Sequence, residues 1–384
     1  MKKLSLHEPL LIDADKRFLN QAFDSTWISG AGKFVDLLEK KISSITSSKD
    51  AVACNSGSSG LLISLKALGV KENYEVIVPT ITFISTINAV IQNSASPIFM
   101  DCDEEFNIDI KKTIDFLKNR TFSRGGFTYN KKTNKKIFAI IIVHCFGYPV
   151  ILDELVRLCK KKNIFIIEDA AESLGSKYTK GNFKKFHTGT VGDIGVFSFN
   201  GNKIITGGGG GVVVSKKKNV IKKIKYLINQ AKDDSVKFIH NESGYNYRIN
   251  NLQSAIIYSQ LNRIDVILDK KDTIHELYMK FLDQKKTTLI GKEKKLNVNH
   301  WLNVVTLNSK TQTSRNIINI LIKNGIEARY VWYPNHLQKP FRKYETYKIK
   351  KSLNLVKKSI CLPSSLNLKQ VEIIKICKLI NKFL

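Results

Sequence analysis

The chain has 384 residues, 43% of them hydrophobic, enough for a substantial core and for two domains of ordinary size. A formal charge of +29 would suit an anionic partner, but the excess is mostly lysine scattered in short runs such as Lys160-Lys161-Lys162, with no aromatic-interleaved stripe, so neither nucleic acid nor a membrane is the expected partner. Six cysteines stand far apart without a CxxC pair or a histidine at ligand spacing, which argues against a metal site and against a disulfide framework. No apolar run reaches the length of a membrane-spanning helix, and the residues after Met1-Lys2-Lys3 form no apolar stretch, so the expected compartment is the cytoplasm.

In chain order, Ala51-Val52-Ala53-Cys54-Asn55-Ser56-Gly57-Ser58-Ser59-Gly60-Leu61 reads as a strand, a small-residue turn and a helix with Leu61, Leu62, Leu65 and Leu68 on one side. Free amides at such a helix start suit a phosphate, although Ser-Gly-Ser is also an ordinary N-cap and turn. Val76–Val78, Pro97–Met100, Phe138–Val143 and Ile164–Ile167 are continuous apolar runs, separated by segments with helical spacing such as Leu152–Cys159. That is the pattern of parallel strands buried on both faces and joined by crossover helices, an α/β fold. Two strands end in polar residues, His144 and Glu168-Asp169, at the carboxyl edge where ligands of such sheets bind. Between Asn119 and Lys136 the composition turns to Arg, Gly, Thr, Asn and Lys, which reads as an inserted loop or hairpin.

Asp169 closes a buried strand and needs a partner there. A protonated heteroaromatic nitrogen is one; capping a helix that begins at Ala170-Ala171-Glu172 is the competing use. Lys203 lies 34 residues further on, after the strand Gly192–Phe199, at a turn ahead of Gly207–Gly211 and Val212–Val214. A lysine so placed can form a Schiff base with a carbonyl cofactor, and Ser198 brings a hydroxyl close to it for an anion. The five glycines are no P-loop, because no Gly-Lys-Ser/Thr follows; a turn packed against neighbouring backbone is the better use. From Asn250 a helical pattern runs through Leu252, Ile256, Ile257, Leu261, Ile264 and Leu268. Short strands such as Val304–Leu307 and helices near 314–324 and 370–383 then predict a smaller α+β domain, dividing the chain into 1–250 and 251–384.

A phosphate-cradling helix start, a strand-end carboxylate and a lysine at a strand-to-turn junction match the requirements of pyridoxal 5'-phosphate. Over nearly its whole length, from Trp27-Ile28-Ser29-Gly30 to Leu362-Pro363-Ser364-Ser365, the sequence resembles the sugar aminotransferases of the DegT/DnrJ/EryC1/StrS type. The resemblance implies an aspartate aminotransferase-like (fold type I) domain with a mostly parallel central sheet. It makes Lys203 the Schiff-base lysine, Asp169 the partner of the pyridine nitrogen, and Phe83 in Thr82-Phe83-Ile84-Ser85-Thr86 the ring stacked on the cofactor. Gly57-Ser58-Ser59, in place of the usual Gly-Thr-Ala, would hold the phosphate together with Ser198. Asn246 in Gly244-Tyr245-Asn246-Tyr247-Arg248 would reach that phosphate from a second subunit, implying a homodimer with shared active sites. Glu172 stands where relatives carry Gln or His against the cofactor ring. Ser29, His187, Tyr333 and His336 lie in segments that border the family's substrate cleft.

Finer similarities, in His187-Thr188-Gly189-Thr190 and Asn200-Gly201-Asn202-Lys203-Ile204-Ile205-Thr206, resemble the bacillosamine and legionaminic acid branch, which acts on UDP-linked 2-acetamido-4-keto-6-deoxy hexoses in bacterial surface glycan synthesis. Tyr148 departs from the smaller amide expected at its position. The implied reaction is a ping-pong transamination: L-glutamate converts the cofactor to pyridoxamine 5'-phosphate, and a nucleotide-linked 4-keto sugar takes the amine at C4, with Lys203 moving the proton. A GDP- or dTDP-linked sugar of the perosamine type is the alternative substrate. A related sugar dehydratase carries histidine at the lysine position, which Lys203 opposes. A non-catalytic binding relative is opposed by the intact set Asp169, Ser198 and Lys203.

Overall fold

A computed structural model describes residues 3–291, 297–309 and 312–384. The central sheet is built from β1 (Asp50–Cys54), β2 (Tyr74–Pro79), β3 (Ser96–Met100), β4 (Thr121–Arg124), β5 (Phe127–Asn130), β6 (Lys136–Val143), β7 (Phe165–Asp169), β8 (Ile194–Ser198) and β9 (Gly211–Ser215). A smaller sheet contains β10 (Thr287–Leu289), β11 (Asn303–Leu307), β12 (Arg329–Tyr330) and β14 (Ser359–Leu362), while β13 (Thr346–Tyr347) returns to the central one.

The central order is β1-β9-β8-β7-β6-β2-β3-β13, with the hairpin β4–β5 attached to β6. Every pair from β8 to β13 along this path is parallel, and β9 alone runs antiparallel to both neighbours. The continuous apolar runs follow from burial on both faces. Ala139 and Ile141 of β6 pack with Leu61, Leu65 and Ile87 on one side, while Ile140 and Ile142 pack with Ile114, Leu117 and Leu155 on the other. Such two-faced alternation leaves no polar position until the strand ends, which confines the chemistry to the sheet's carboxyl edge.

The insertion before β6 is a hairpin, turned by Gly125 and Gly126 with φ of 58° and 78°. Two successive positive φ values match the twist of a two-residue hairpin turn and suit glycine. The small sheet is antiparallel in the order β10-β11-β14-β12 and shares a core with the helices Ile264–Phe281, Ser314–Lys323 and Gln370–Phe383.

Packing does not divide at residue 250. Ile257 and Leu261, in the helix Asn251–Leu261, share a core with Val212 and Val214 of β9. The segment around Glu345 comes back from the small sheet to cover the edge of β3, where the Phe99 amide donates to the Glu345 carbonyl at 2.9 Å. A covered edge strand offers no unpaired backbone to another chain. Among the described residues no helix is long and apolar enough to cross a membrane, and no group of three His, Cys, Asp or Glu side chains is placed to hold a metal ion.

Candidate active site

The ends of β1, β2, β6, β7 and β8 meet at the carboxyl edge around a cavity of about 320 Å³. After β1, Ser56 caps the helix Gly57–Leu68, its Oγ accepting the Ser59 amide at 3.1 Å. The Gly60 amide is bonded to the Ser56 carbonyl at 3.0 Å, which leaves the N–H groups of Gly57 and Ser58, both at the cavity wall, without an intrahelical acceptor. Gly57 has no room for a side chain: a Cβ there would stand 2.9 Å from the Ser198 Cβ. The helix start and the end of β8 therefore approach closely enough to grip one small anion from two sides.

The glycine run makes that approach possible. A Cβ on Gly211 would stand 2.6 Å from the backbone of Ser56, and Gly208 and Gly210 adopt φ of 76° and 111°. The run thus serves packing, as its lack of a following Gly-Lys-Ser/Thr implied.

At the end of β7, Asp169 is buried, with Oδ2 accepting from Thr86 Oγ1 at 2.7 Å and Oδ1 from the Ala171 amide at 3.2 Å. No helix begins at Ala170, so the capping use is absent: the carboxylate receives the amide two residues on in a turn, and it lines the cavity. Burial raises its pKa, opposed by the Thr86 hydroxyl, the Ala171 amide and the Lys203 charge. Glu172 lies beside it, its Oε2 accepting the Phe146 amide at 2.8 Å and its Oε1 3.5 Å from Lys203 Nζ. Burial pushes the Glu172 carboxyl up to about 7, with Lys203 opposing and Asp169 adding to the rise.

Lys203 is mostly buried, and its Nζ sits 3.9 Å from the centre of the Trp301 ring. Trp301 is in turn held by its indole N–H, which donates to the Asn202 carbonyl at 2.6 Å. Trp301, Trp332 and Arg329 reach the cavity from the small sheet side. Phe146 stacks on Trp332 at 4.7 Å and 5°, which helps hold Phe146 at a positive φ of 56°.

Of the residues singled out in the sequence, Gly57, Ser58, Phe83, Asp169, Glu172, Ser198 and Lys203 line this one cavity. Phe83 is 55% exposed, an aromatic face left open at the wall. The others lie elsewhere. The Ser59 hydroxyl turns back to Asn55 Oδ1 at 2.5 Å. Asn246 is exposed beside β1, near the Cys54–Arg248 bridge. Ser29 is exposed and its carbonyl accepts the Asn251 amide at 2.9 Å. Tyr333 is half exposed, and His336 Nδ1 is bonded to Thr80 Oγ1 at 2.6 Å.

His187 also lies apart from this cavity. It is buried outside the cavity, with Nε2 accepting the Gly175 amide at 2.8 Å and Nδ1–H donating to the Thr188 carbonyl at 2.6 Å. Burial lowers its pKa to about 4, so it is a neutral, satisfied core histidine. His144 and Glu168 also leave the site. Adjacent residues of a strand point to opposite faces, and Glu168 points away from Asp169 to accept from His144 Nε2, Tyr178 and the amides of Gly189, Val191 and Gly192. Tyr148 is wholly buried against His300 Nδ1, at 2.8 Å, and touches no part of the cavity.

Sequence reasoning missed Thr86, Trp301, Trp332 and Arg329. Thr86 stood inside a quoted motif and is reachable by its hydroxyl alone. The other three come from a region more than 95 residues beyond Lys203, where nothing local marks them.

Two buried carboxylates with raised pKa values, one lysine, an open aromatic face and a two-sided anion cradle fit a phosphorylated cationic heterocycle carrying a carbonyl. Fold and site together define a pyridoxal-phosphate-dependent aminotransferase of the aspartate aminotransferase-like class. The chain belongs to the DegT/DnrJ/EryC1/StrS aminotransferase family, whose model matches residues 10–381. It is 34% identical to the GDP-perosamine synthase of Escherichia coli O157:H7, over 100% of this chain and 99% of that protein. It is 30% identical to a UDP-4-amino-4,6-dideoxy-N-acetyl-beta-L-altrosamine transaminase of Campylobacter jejuni, over 79% of this chain and 72% of that one. Among solved structures, Helicobacter pylori PseC, an aminotransferase involved in the biosynthesis of pseudoaminic acid, matches with a TM-score of 0.87 and 25% identity, over 99% of each chain.

The Glu172 carboxyl carries a pH prediction. Its folded pKa lies above the ordinary 4.5, so the folded chain binds the proton more tightly than the unfolded one. The stability this contributes is full below pH 4.5 and is lost as pH rises through about 7. Thermal melts of the cofactor-free protein should therefore fall from pH 5 to pH 8 more steeply than those of Glu172→Gln, by a difference of at most about 3 kcal/mol. Parallel melting curves for the two proteins would refute the assignment.

Proposed function

We propose that the protein transfers the amino group of L-glutamate to C4 of a nucleotide-linked 4-keto-6-deoxyhexose, in the synthesis of bacterial surface glycans. The observation that carries this reading is the convergence of Lys203, Asp169 and the open helix start on one cavity, in a chain of this family. Pyridoxal phosphate, when bound, supplies an electron sink for the carbon that exchanges a proton. The rest is done by side chains. The Gly57 and Ser58 amides and the Ser198 hydroxyl hold the phosphate at the helix start. Asp169, kept in place by Thr86 and the Ala171 amide, accepts the ring N–H and keeps that nitrogen protonated. Phe83 packs on the ring face.

Lys203 would hold the cofactor through its Nζ, and the same amine would carry the proton during transfer. Glu172 steadies the Lys203 amine, and Trp301 and Trp332 keep water from it on the small sheet side. A homodimer with shared sites is supported by Asn246, which lies outside its own chain's cavity, and by Phe23, Trp27 and Ile28, whose apolar side chains stand in solvent where the first helix ends.

Of the nucleotide carriers, GDP is the better supported, because the similarity to a GDP-perosamine synthase spans the whole chain. The UDP-linked acetamido sugar rests on matches of 29 and 30% identity, lower than the 34% to the GDP-perosamine synthase, and Tyr148, buried elsewhere, selects neither. A panel of GDP-, UDP- and dTDP-linked 4-keto-6-deoxy sugars with glutamate should give a kcat/KM at least about tenfold higher for the GDP-linked sugar. The reverse order would overturn the carrier, and no amination of any sugar would overturn the reaction.

A further inference from the structure

We propose that Lys271, which does not line the cavity, is a positioning residue for the reaction: it fixes Trp301 and, through the indole, the amine of Lys203. The inference rests on the reading of Lys203 above. Lys271 lies midway along the helix Ile264–Phe281 and is fully buried. Its Nζ donates to the Trp301 carbonyl at 2.8 Å and to the Ser364 carbonyl at 2.7 Å. No carboxylate is hydrogen-bonded to it in the described contacts, and burial lowers its pKa to about 7. An amine buried among carbonyls costs stability that an apolar side chain of the same length would not. Its use must lie in what it holds.

What it holds are the two chain segments that flank the small sheet's central strands. Trp301 leads into β11 and Ser364 follows β14. The Ser364 end is fixed independently, since its Oγ accepts from the Asn303 amide at 3.0 Å and its amide donates to the Leu6 carbonyl at 2.7 Å. The Trp301 end leads to the site. Its amide donates to Asn299 Oδ1 at 3.0 Å, its carbonyl takes Lys271, and its indole N–H takes the Asn202 carbonyl. Clamped at these points, the ring presents its face to Lys203 Nζ at 3.9 Å. Around Lys271 stand His7, whose ring nitrogens are buried without partners, and the stacked pair His275 and His300, with Asp272 3.3 Å from His300 Nε2. Burial holds all three histidines below their usual range, so Lys271 faces neutral rings.

The test uses the cofactor-loaded protein and follows bound-cofactor absorbance against pH, which reports the environment of the Lys203 nitrogen. Lys271→Met should move the midpoint by about half a pH unit or more. It should lower kcat about tenfold with KM for glutamate within about twofold. Trp301→Phe should do the same, and the double variant should move no further, because both act through one ring. Lys271→Arg, which keeps donors for both carbonyls, should retain the parent midpoint.

An unchanged midpoint in Lys271→Met, or a shift that adds to that of Trp301→Phe, would overturn the proposal. Should Lys271→Met not fold, Lys271→Arg must hold the midpoint and Trp301→Phe must move it; failure of either overturns the proposal as well. A Lys203→Ala protein that keeps the parent spectrum would sink the reading of Lys203 instead, which separates the two failures.

Discussion

Lys203→Ala should abolish transamination and leave the fold intact. The side chain makes no contact that supports the core: its amine faces Trp301 and Glu172 across the cavity, and the backbone bond from its amide to the Asn200 carbonyl, 2.9 Å, survives the change. On the proposed function the loss falls on chemistry, because the residue would serve both as covalent anchor and as the base that moves the proton, and among the described residues no other lysine lines the cavity. Turnover should fall by at least about 10⁴-fold, with the melting temperature of the cofactor-free protein within a few degrees of the parent. Residual turnover within tenfold of the parent would remove Lys203 from the mechanism.

Asp169→Asn should lower kcat about a thousandfold, from loss of roughly 4 kcal/mol in a buried charge pair with the protonated ring nitrogen. The same substitution should raise the melting temperature of the cofactor-free protein. Burial disfavours the ionised Asp169 more than the Lys203 charge favours it, and Asn can still accept the Ala171 amide through Oδ1 while its Nδ2–H donates to the Thr86 hydroxyl oxygen. Opposite signs for activity and for unliganded stability mark a group arranged for its ligand. A variant that loses stability along with activity would instead make Asp169 a structural cap.

The sheet was legible because strands buried on both faces announce themselves as unbroken apolar runs, and the carboxyl edge followed from that. That Lys203, Asp169, Ser198 and the Gly57-Ser58 turn meet at one cavity was legible because residue type at strand ends marks that edge. Orientation was not. Glu168 and Asp169 are neighbours with the same functional group, yet the pleat turns one toward the cofactor cavity and the other into a nest of five donors. The segment around His187 likewise gives no sign of which way its ring faces, and it turns to the Gly175 amide and the Thr188 carbonyl. Ser59 differs from Ser58 only by its place on the first helical turn, where its amide is capped and its hydroxyl turned inward. Trp301 and Trp332 reach the site by tertiary packing alone, and the return of β13 to the central sheet rests on a two-residue strand with no periodicity to read.

The central claim is that one lysine, in a chain crowded with them, carries the cofactor. Borohydride reduction of the protein loaded with pyridoxal phosphate, followed by peptide mass mapping, tests it directly. The account predicts a single phosphopyridoxyl group on the peptide that contains Lys203. Label absent from that peptide, or spread over surface lysines at comparable yield, would contradict it.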